Sequence, residues 1–311
     1  MDALDVRILR VMGVRPYDRR PKDPEVLKPP HIARELGLSV NTVKERIARM
    51  EADGVIAAYQ IVPNFRHLGL AAYAHKFRAD PSRKDAAVRA AAALDGILEV
   101  HDFIGPSLCV DFAHRGDADR LAKIRTLAEA TGDMEGVRYY ERAMPPVSRE
   151  LSTLDWRILQ ALRWRANRPL AEVADELGVA LRTVRRHFDR MASEGSFFVT
   201  PLVDPGKASG LFLFDLICDL APLGKREAIR TLIRTFDDRH VYAFEPAPES
   251  TAGFDMLLFA RTSAEVEAVR REAAAVPGVV RAEANLFRAF LDESRWLDAA
   301  IAARVVPRLS T

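Results

Sequence analysis

One segment of this chain occurs twice, and this repeat constrains the fold more than any other feature. Residues 31–56 read HIARELGLSVNTVKERIARMEADGVI, and residues 172–195 read EVADELGVALRTVRRHFDRMASEG. At an offset of 141 residues, Gly37 aligns with Gly178 and Thr42 aligns with Thr183. A repeat of this kind indicates that the chain is built from two copies of one structural unit.

Each copy has the pattern of a helix-turn-helix. Gly37 and Gly178 are suited to end a short helix, because glycine tolerates the left-handed conformation found there. Ser39 is suited to cap the next helix, whereas the second copy has Ala180, and the lost cap costs about 1 kcal/mol. Apolar residues then recur at spacings of three and four, which predicts one buried stripe per helix. These residues are Val40, Val43, Ile47 and Met50 in the first copy and Leu181, Val184, Phe188 and Met191 in the second.

The outward face of each second helix is polar, and such a helix fits the major groove of DNA. The residues predicted to enter grooves are Asn41, Thr42, Lys44, Glu45, Arg182, Thr183, Arg185 and Arg186. Arg46, Arg49 and Arg190 are predicted to lie nearer phosphates. Glu45 has two open interpretations: it accepts a hydrogen bond from cytosine, or it pairs with Arg49 along the helix. The alternative for both copies is an ordinary amphipathic helix pair whose charges are merely solvated.

Composition limits the classes of protein that remain. The chain has 311 residues, 49% of them hydrophobic and 29% charged, which is typical of a globular protein with two or more domains. Its net charge is only +2, so nucleic-acid binding must depend on local cation clusters. Cys109 and Cys218 are predicted to be buried strand thiols, and neither a metal site nor a cofactor is predicted. No secretion signal or membrane span is apparent, so we expect a cytoplasmic protein.

Outside the repeat, the pattern predicts an α+β fold with four domains. Residues 1–62 and 148–203 are predicted winged helix-turn-helix domains, and residues 63–147 and 204–311 are predicted βαββαβ ferredoxin-like domains. Residues 291–303 are predicted to form a terminal helix with no counterpart in the first half. A Pro-rich loop carries Arg19, Arg20 and Lys22, which either contact phosphate or are solvated.

The sequence resembles the Lrp/AsnC (feast/famine) family of transcription regulators, as two family units in tandem. The resemblance lies in Leu4-Asp5, Leu36-Gly37-Leu38-Ser39, Thr42-Val43, Gly54-Val55-Ile56 and Gly136-Val137, among others. It implies winged helix-turn-helix domains joined to RAM/ACT-like sensing domains that pair through their sheets and bind amino acids or similar effectors. The family's Gly-x-x-Asp turn falls on Gly105-Pro106-Ser107-Leu108 in the first unit, without the Asp, and on Ala252-Gly253-Phe254-Asp255 in the second, with Ala in place of the Gly. The resemblance implies effector binding there, with Gly105, Ser107, Gly253 and Asp255 as the candidate residues.

These features together predict a transcription regulator that binds double-stranded DNA and is not an enzyme. It would act as a homodimer or as an intramolecular pseudo-dimer, and in the latter case its unequal recognition helices predict asymmetric half-sites. Siroheme decarboxylases resemble the same architecture and provide the alternative function. Their chemistry needs a proton donor and cations, for which the candidates are His101, His114, His240, Arg115 and Arg142. A third possibility is a sensor or protein-interaction module in which the helix-turn-helix units are relics.

Overall fold

The computed structural model describes residues 1–13, 24–133, 138–141, 144–244 and 253–305. Arg19, Arg20, Lys22 and Arg142 lie outside these ranges. Elements are numbered in chain order. The first half contains α1 (Ala3–Met12), α2 (Pro29–Leu36), α3 (Val40–Ala52), β1 (Ile56–Pro63), β2 (Ala71–Arg78), α4 (Lys84–Ala92), β3 (Ile97–Phe103), β4 (Ser107–His114), α5 (Asp117–Thr131) and β5 (Arg138–Glu141).

The second half follows the same order and adds one helix at its end. It contains α6 (Thr153–Leu162), α7 (Leu170–Leu177), α8 (Leu181–Ser193), β6 (Phe197–Val203), β7 (Phe212–Leu220), α9 (Lys225–Thr235), β8 (His240–Phe244), β9 (Phe254–Ala260), α10 (Ser263–Ala274), β10 (Val279–Asp292) and α11 (Trp296–Val305). The predicted α+β fold, with two winged helix-turn-helix units and two βαββαβ units, is therefore confirmed. No helix among the described residues is long and apolar enough to cross a membrane.

The two βαββαβ units share one eight-stranded antiparallel sheet with the order β5-β2-β4-β3-β10-β7-β9-β8. Each half of this order is the ferredoxin-like arrangement, in which the fourth strand of a unit lies beside its first. Helices α4 and α5 bury apolar side chains such as Val100 and Val110 against one half. Helices α9 and α10 do the same on the other half, where Cys218 is buried. Both cysteines are free and buried, as predicted.

Strand β10 joins the two halves and corrects one prediction. We expected the terminal helix to begin at Leu291, but β10 continues to Asp292 and α11 begins at Trp296. The additional residues pair with β3, with Leu291 opposite Val100 and Asp292 opposite Glu99. Because the partner strand belongs to the other half of the chain, the local pattern around residue 291 could not reveal this extension.

The two helix-turn-helix units are also joined, through their wings and a common core. Strand β1 pairs antiparallel with β6, and together they form a two-stranded sheet. One hydrophobic cluster contains the buried faces of α1, α3, α6 and α8 and reaches the large sheet through Leu213 and Leu257. Wing residues Val62 and Phe198 pack with Leu98 of β3 in a second cluster. The large sheet thus lies between four helices on one face and the paired winged units on the other.

Candidate nucleic-acid interface

Helix α3 has the local structure that its sequence predicts. Gly37 ends α2 with φ +65°, and the Ser39 hydroxyl accepts a hydrogen bond from the Thr42 amide at 3.0 Å. The stripe of Val43, Ile47 and Met50 is buried. Because this stripe fixes the rotation of α3, the opposite face points to solvent. The residues exposed there include Asn41, Lys44 and Glu45, while Thr42 is half-buried.

Helix α8 repeats this arrangement with a more cationic outer face. Val184, Phe188 and Met191 are buried, but Leu181 is 40% exposed, contrary to the predicted stripe. Leu181 is the first residue of the helix and extends beyond the core. Ala180 does not cap this helix, because the alanine side chain has no atom that accepts a hydrogen bond.

Three arginines define the cationic surface of α8: Arg182, Arg185 and Arg186. All three are exposed, and among the described residues none of them forms an ion pair with a carboxylate. Thr183, beside them, is half-buried. These guanidinium groups lie in the first two turns, which is the part of a recognition helix that contacts base edges in helix-turn-helix proteins.

The more C-terminal arginines of α3 are engaged within the first unit. Arg46 donates to Asp5 at 2.8 Å and to Asp2, and Arg49 donates to Asp5 at 2.8 Å. The Asp5 side chain is fully buried, so the two ion pairs hold α3 against α1. Arg49 thus pairs with Asp5, and no ion pair between Glu45 and Arg49 occurs in the described part of the chain. Phosphate contact by Arg46 and Arg49 stays a prediction.

The second unit has a matching cluster around Asp155, which is also fully buried. Its carboxylate binds the His187 Nδ1 atom at 2.7 Å, Arg149 at 3.0 Å and Arg190 at 3.4 Å. Burial alone would raise the pKa of Asp155, but hydrogen bonds from His187, Ser152 and Arg149 outweigh it and lower the pKa to about 2. Arg190 is partly held by this cluster, as Arg49 is in the first unit.

Comparison with known proteins agrees with this description of the two units. Residues 22–57 and 151–195 match the winged helix-turn-helix DNA-binding family. The chain contains two winged helix-turn-helix domains. No curated protein matches it.

Solved structures add a match over nearly the whole chain. The siroheme decarboxylase NirDL, in complex with an iron-uroporphyrin III analogue, has a TM-score of 0.54 at 13% identity and covers 97% of this chain and 99% of that chain. Escherichia coli AsnC has a TM-score of 0.30 at 18% identity, covering 49% of this chain and 97% of its own. Mycobacterium tuberculosis LrpA has a TM-score of 0.34 at 18% identity, covering 44% and 91%. The NirDL likeness establishes the fold alone.

The predicted effector residues do not lie together in the sheet. Gly105 is in the turn between β3 and β4, where its φ of +88° favours glycine, and Ser107 begins β4 and is buried. Gly253 precedes β9, so close to the Cys218 carbonyl that a Cβ would clash, and Asp255 is buried in β9. Strands β10 and β7 separate β3 from β9, a distance of about 14 Å at the usual strand spacing. Effector binding at these four residues stays a prediction.

A small cavity lies between the wings and the large sheet, at residues that the sequence did not single out as one site. Most of its lining is apolar, with a few polar and charged side chains. Its volume is about 50 Å³, which is room for a few water molecules. Wing residues Gln60 and Thr200 form one wall, and His101, Glu99 and Asp292 of the sheet form part of the other. The alternation of Glu99 and His101 on one strand was the available signal, but only the register of β3 with β10 brings Asp292 beside them.

Proposed function

We propose that the chain is a sequence-specific DNA-binding transcription regulator of the Lrp/AsnC type, which reads two unequal half-sites through α3 and α8. One observation carries the proposal: Arg182, Arg185 and Arg186 are exposed without an ion pair among the described residues, on a helix whose other face is buried. Exposed arginine is suited to bidentate hydrogen bonds with guanine in the major groove. Asp189 lies one turn beyond Arg185 and Arg186, yet no ion pair joins them in the described part of the chain.

The side chains at the start and at the end of each recognition helix have different surroundings, and this difference supports the same function. Side chains in the first turns are free to meet base edges, whereas Arg49 and Arg190 near the end are tied to buried carboxylates. These ties fix the angle between the recognition helix and the first helix of each unit. A fixed angle preorganises the recognition helix for DNA, so less conformational entropy is lost on binding.

The two winged helix-turn-helix units pair with each other inside one chain, so a single molecule can present both recognition helices, α3 and α8, to DNA. The β1–β6 wing sheet and the β3–β10 junction both connect the first half to the second. An intramolecular pair of this kind presents Asn41 and Lys44 on one side and three arginines on the other. We therefore expect an asymmetric operator. A small molecule that binds between the wings and the sheet would be in a position to change the distance between α3 and α8.

The test uses the full chain and a DNA fragment from beside its own gene, first located by footprinting. Arg185→Ala combined with Arg186→Ala should weaken binding to this fragment by about 30-fold or more, since each base contact contributes about 1–3 kcal/mol. Fluorescence anisotropy at several salt concentrations provides the measurement. Contacts to phosphate instead of bases would appear as a salt dependence reduced by about one unit per charge.

The control removes the same charge elsewhere. Arg270 and Arg271 lie on α10, where both pair with Glu267, and α10 packs against the sheet face opposite the winged units. Arg270→Ala combined with Arg271→Ala should leave specific binding nearly unchanged. Equal weakening by the two double variants, or no binding by the wild type at low salt, would refute the proposal.

Siroheme decarboxylation is the second candidate, and the likeness to NirDL over nearly the whole chain favours it. The cavity between the wings and the sheet does not suit this substrate, because it is small and its lining contains the carboxylates of Glu99 and Asp292 and no Lys or Arg among the described residues. Such a lining repels a substrate with several carboxylates. His114 lies in a separate, open cleft with Arg66 and Arg115, and His240 is on the edge strand β8. Incubation with siroheme under reducing and non-reducing conditions, followed by mass analysis, tests this candidate.

A further inference from the structure

Two neighbouring strands bring three metal-binding side chains together at the centre of the large sheet. Glu99 and His101 are two residues apart on β3 and therefore lie on the same face. Asp111 of β4 is directly opposite Glu99 in the register, which places it on that face as well. One donor atom from each of the three side chains lies within 4.8 Å of the other two. An ion bound at about 2.0–2.2 Å needs donors no more than about 4.4 Å apart, so the three side chains would close in slightly around it.

The histidine is also oriented as a metal ligand usually is. Its Nδ1 atom is 3.5 Å from the Asp215 carboxylate, on a strand of the second half, and its Nε2 atom is 3.1 Å from Glu99. Tyr242 donates a hydrogen bond to Asp215 at 3.4 Å. A carboxylate behind one ring nitrogen fixes the tautomer and directs the other nitrogen at the ion, as in the common carboxylate–histidine–metal arrangement. Asp215 is thus a positioning residue and not a ligand.

Burial and access at this cluster suit a bound ion. His101 and Asp111 are buried, and Glu99 is mostly buried at the margin of the cavity between the wings and the sheet. A divalent cation would stabilise two carboxylates in these surroundings, because it brings two positive charges to a site of low polarity. The cavity leaves room beside Glu99 and His101 for water to complete the coordination.

We propose that Glu99, His101 and Asp111 bind one divalent first-row transition-metal ion, such as Zn²⁺, Mn²⁺ or Fe²⁺. One imidazole with two carboxylates favours these ions over Ca²⁺ and Mg²⁺, which take oxygen ligands alone, and over Cu⁺, which prefers sulfur. The site goes beyond the DNA-binding function and does not depend on it. Its location between β3 and the wings gives the chain an ion site at the junction of its sensing and reading parts.

Cobalt(II) provides the test, because a protein-bound Co²⁺ ion has visible absorption that reports its ligands. The full chain is treated with a chelator, dialysed and titrated with Co²⁺, and Zn²⁺ is then added in competition. We expect saturation at one ion per chain and displacement by Zn²⁺. His101→Gln and Asp111→Asn should each weaken Co²⁺ binding at least about 100-fold, and Asp215→Asn should weaken it about 10-fold.

Two further variants keep the test decisive if a buried substitution unfolds the chain. Glu99→Gln changes the most accessible ligand and should also weaken Co²⁺ binding strongly, with circular dichroism confirming the fold. Asp292→Asn removes a carboxylate that lines the same cavity but binds Gln60, and it should leave Co²⁺ affinity unchanged within about 3-fold. Absence of binding by the wild type at 100 µM Co²⁺, Zn²⁺ and Mn²⁺ would overturn the proposal. So would equal weakening by Glu99→Gln and Asp292→Asn.

Discussion

The two winged helix-turn-helix units have the same internal support and different outer faces. In each, a fully buried aspartate of the first helix binds two side chains of the recognition helix, one turn apart. Asp5 binds Arg46 and Arg49, and Asp155 binds the residues at the aligned positions, one of which is His187. Burial constrains this support in both units, because a buried carboxylate needs hydrogen-bonded partners.

The exposed faces are free of that constraint and have diverged. Helix α3 has a serine cap and carries Asn41, Lys44 and Glu45, whereas α8 has no side-chain cap and carries arginines at its start. A pair of units that differed in their buried aspartates would be expected to differ in stability. A pair that differs only outside should differ in what it binds. The three predictions below separate these two kinds of difference.

The largest effect is expected at the buried aspartates themselves. Asp155→Ala leaves Arg149, His187 and Arg190 without their shared carboxylate, and it should destabilise the chain by about 3 kcal/mol. Asp5→Ala should have a similar effect through Arg46 and Arg49. Urea unfolding measures both. The exposed Asp189→Ala on α8 is the control and should change stability by less than about 0.5 kcal/mol. If the Asp155→Ala chain were as stable as the Asp189→Ala chain, Asp155 would not stabilise the second unit in the way that Asp5 is expected to stabilise the first.

Acidification should affect the second unit through the same carboxylate. The pKa of Asp155 is lowered to about 2 from an ordinary 3.8, so the folded state favours the ionised form. Its contribution, about 2 kcal/mol, is fully present above pH 4 and is lost as the pH falls towards 2. Asp155→Asn should remove this part of the pH dependence. Unfolding at pH 4.5 and pH 2.5 measures the difference, and parallel losses in wild type and variant would contradict the assignment.

Local patterns predicted most of this architecture, including the two glycine turns, the buried stripes and the βαββαβ order. They did so because capping, helical periodicity and strand alternation depend on residues close in sequence. The extension of β10 to Asp292 was missed because its partner β3 lies about 190 residues earlier in the chain. The pairing of β1 with β6 has the same origin, since only the folded chain brings the two wings together.

On the recognition helices too, the sequence predicted the features that depend on local pattern and missed those that depend on tertiary contacts. The exposed positions of Arg182, Arg185 and Arg186 could be predicted from the apolar stripe alone. The ion pairs of Arg46 and Arg190 could not, because Asp5 and Asp155 belong to another helix and their burial is a tertiary property. The Glu99–His101–Asp111 cluster needed the register of β3 with β4, and its positioning residue Asp215 needed the second half of the chain.

The smallest expected effect concerns the caps and tests whether the two recognition helices differ for local reasons. Ala180→Ser supplies the hydroxyl that α8 lacks, and it should stabilise the chain by at most about 1 kcal/mol. The hydroxyl can accept from the Thr183 amide, as Ser39 does from Thr42, but that amide already donates to the Ala180 carbonyl at 2.9 Å. Ser39→Ala should cost about the same in α3. Thermal and urea unfolding measure both changes. Ser263→Ala at the exposed first residue of α10 is the control, because its hydroxyl makes no hydrogen bond in the described part of the chain. If Ala180→Ser gives no gain while Ser39→Ala costs the full amount, the start of α8 is held by contacts other than its cap. The missing serine would then be a consequence of how the second unit packs and not a weakness in its recognition helix.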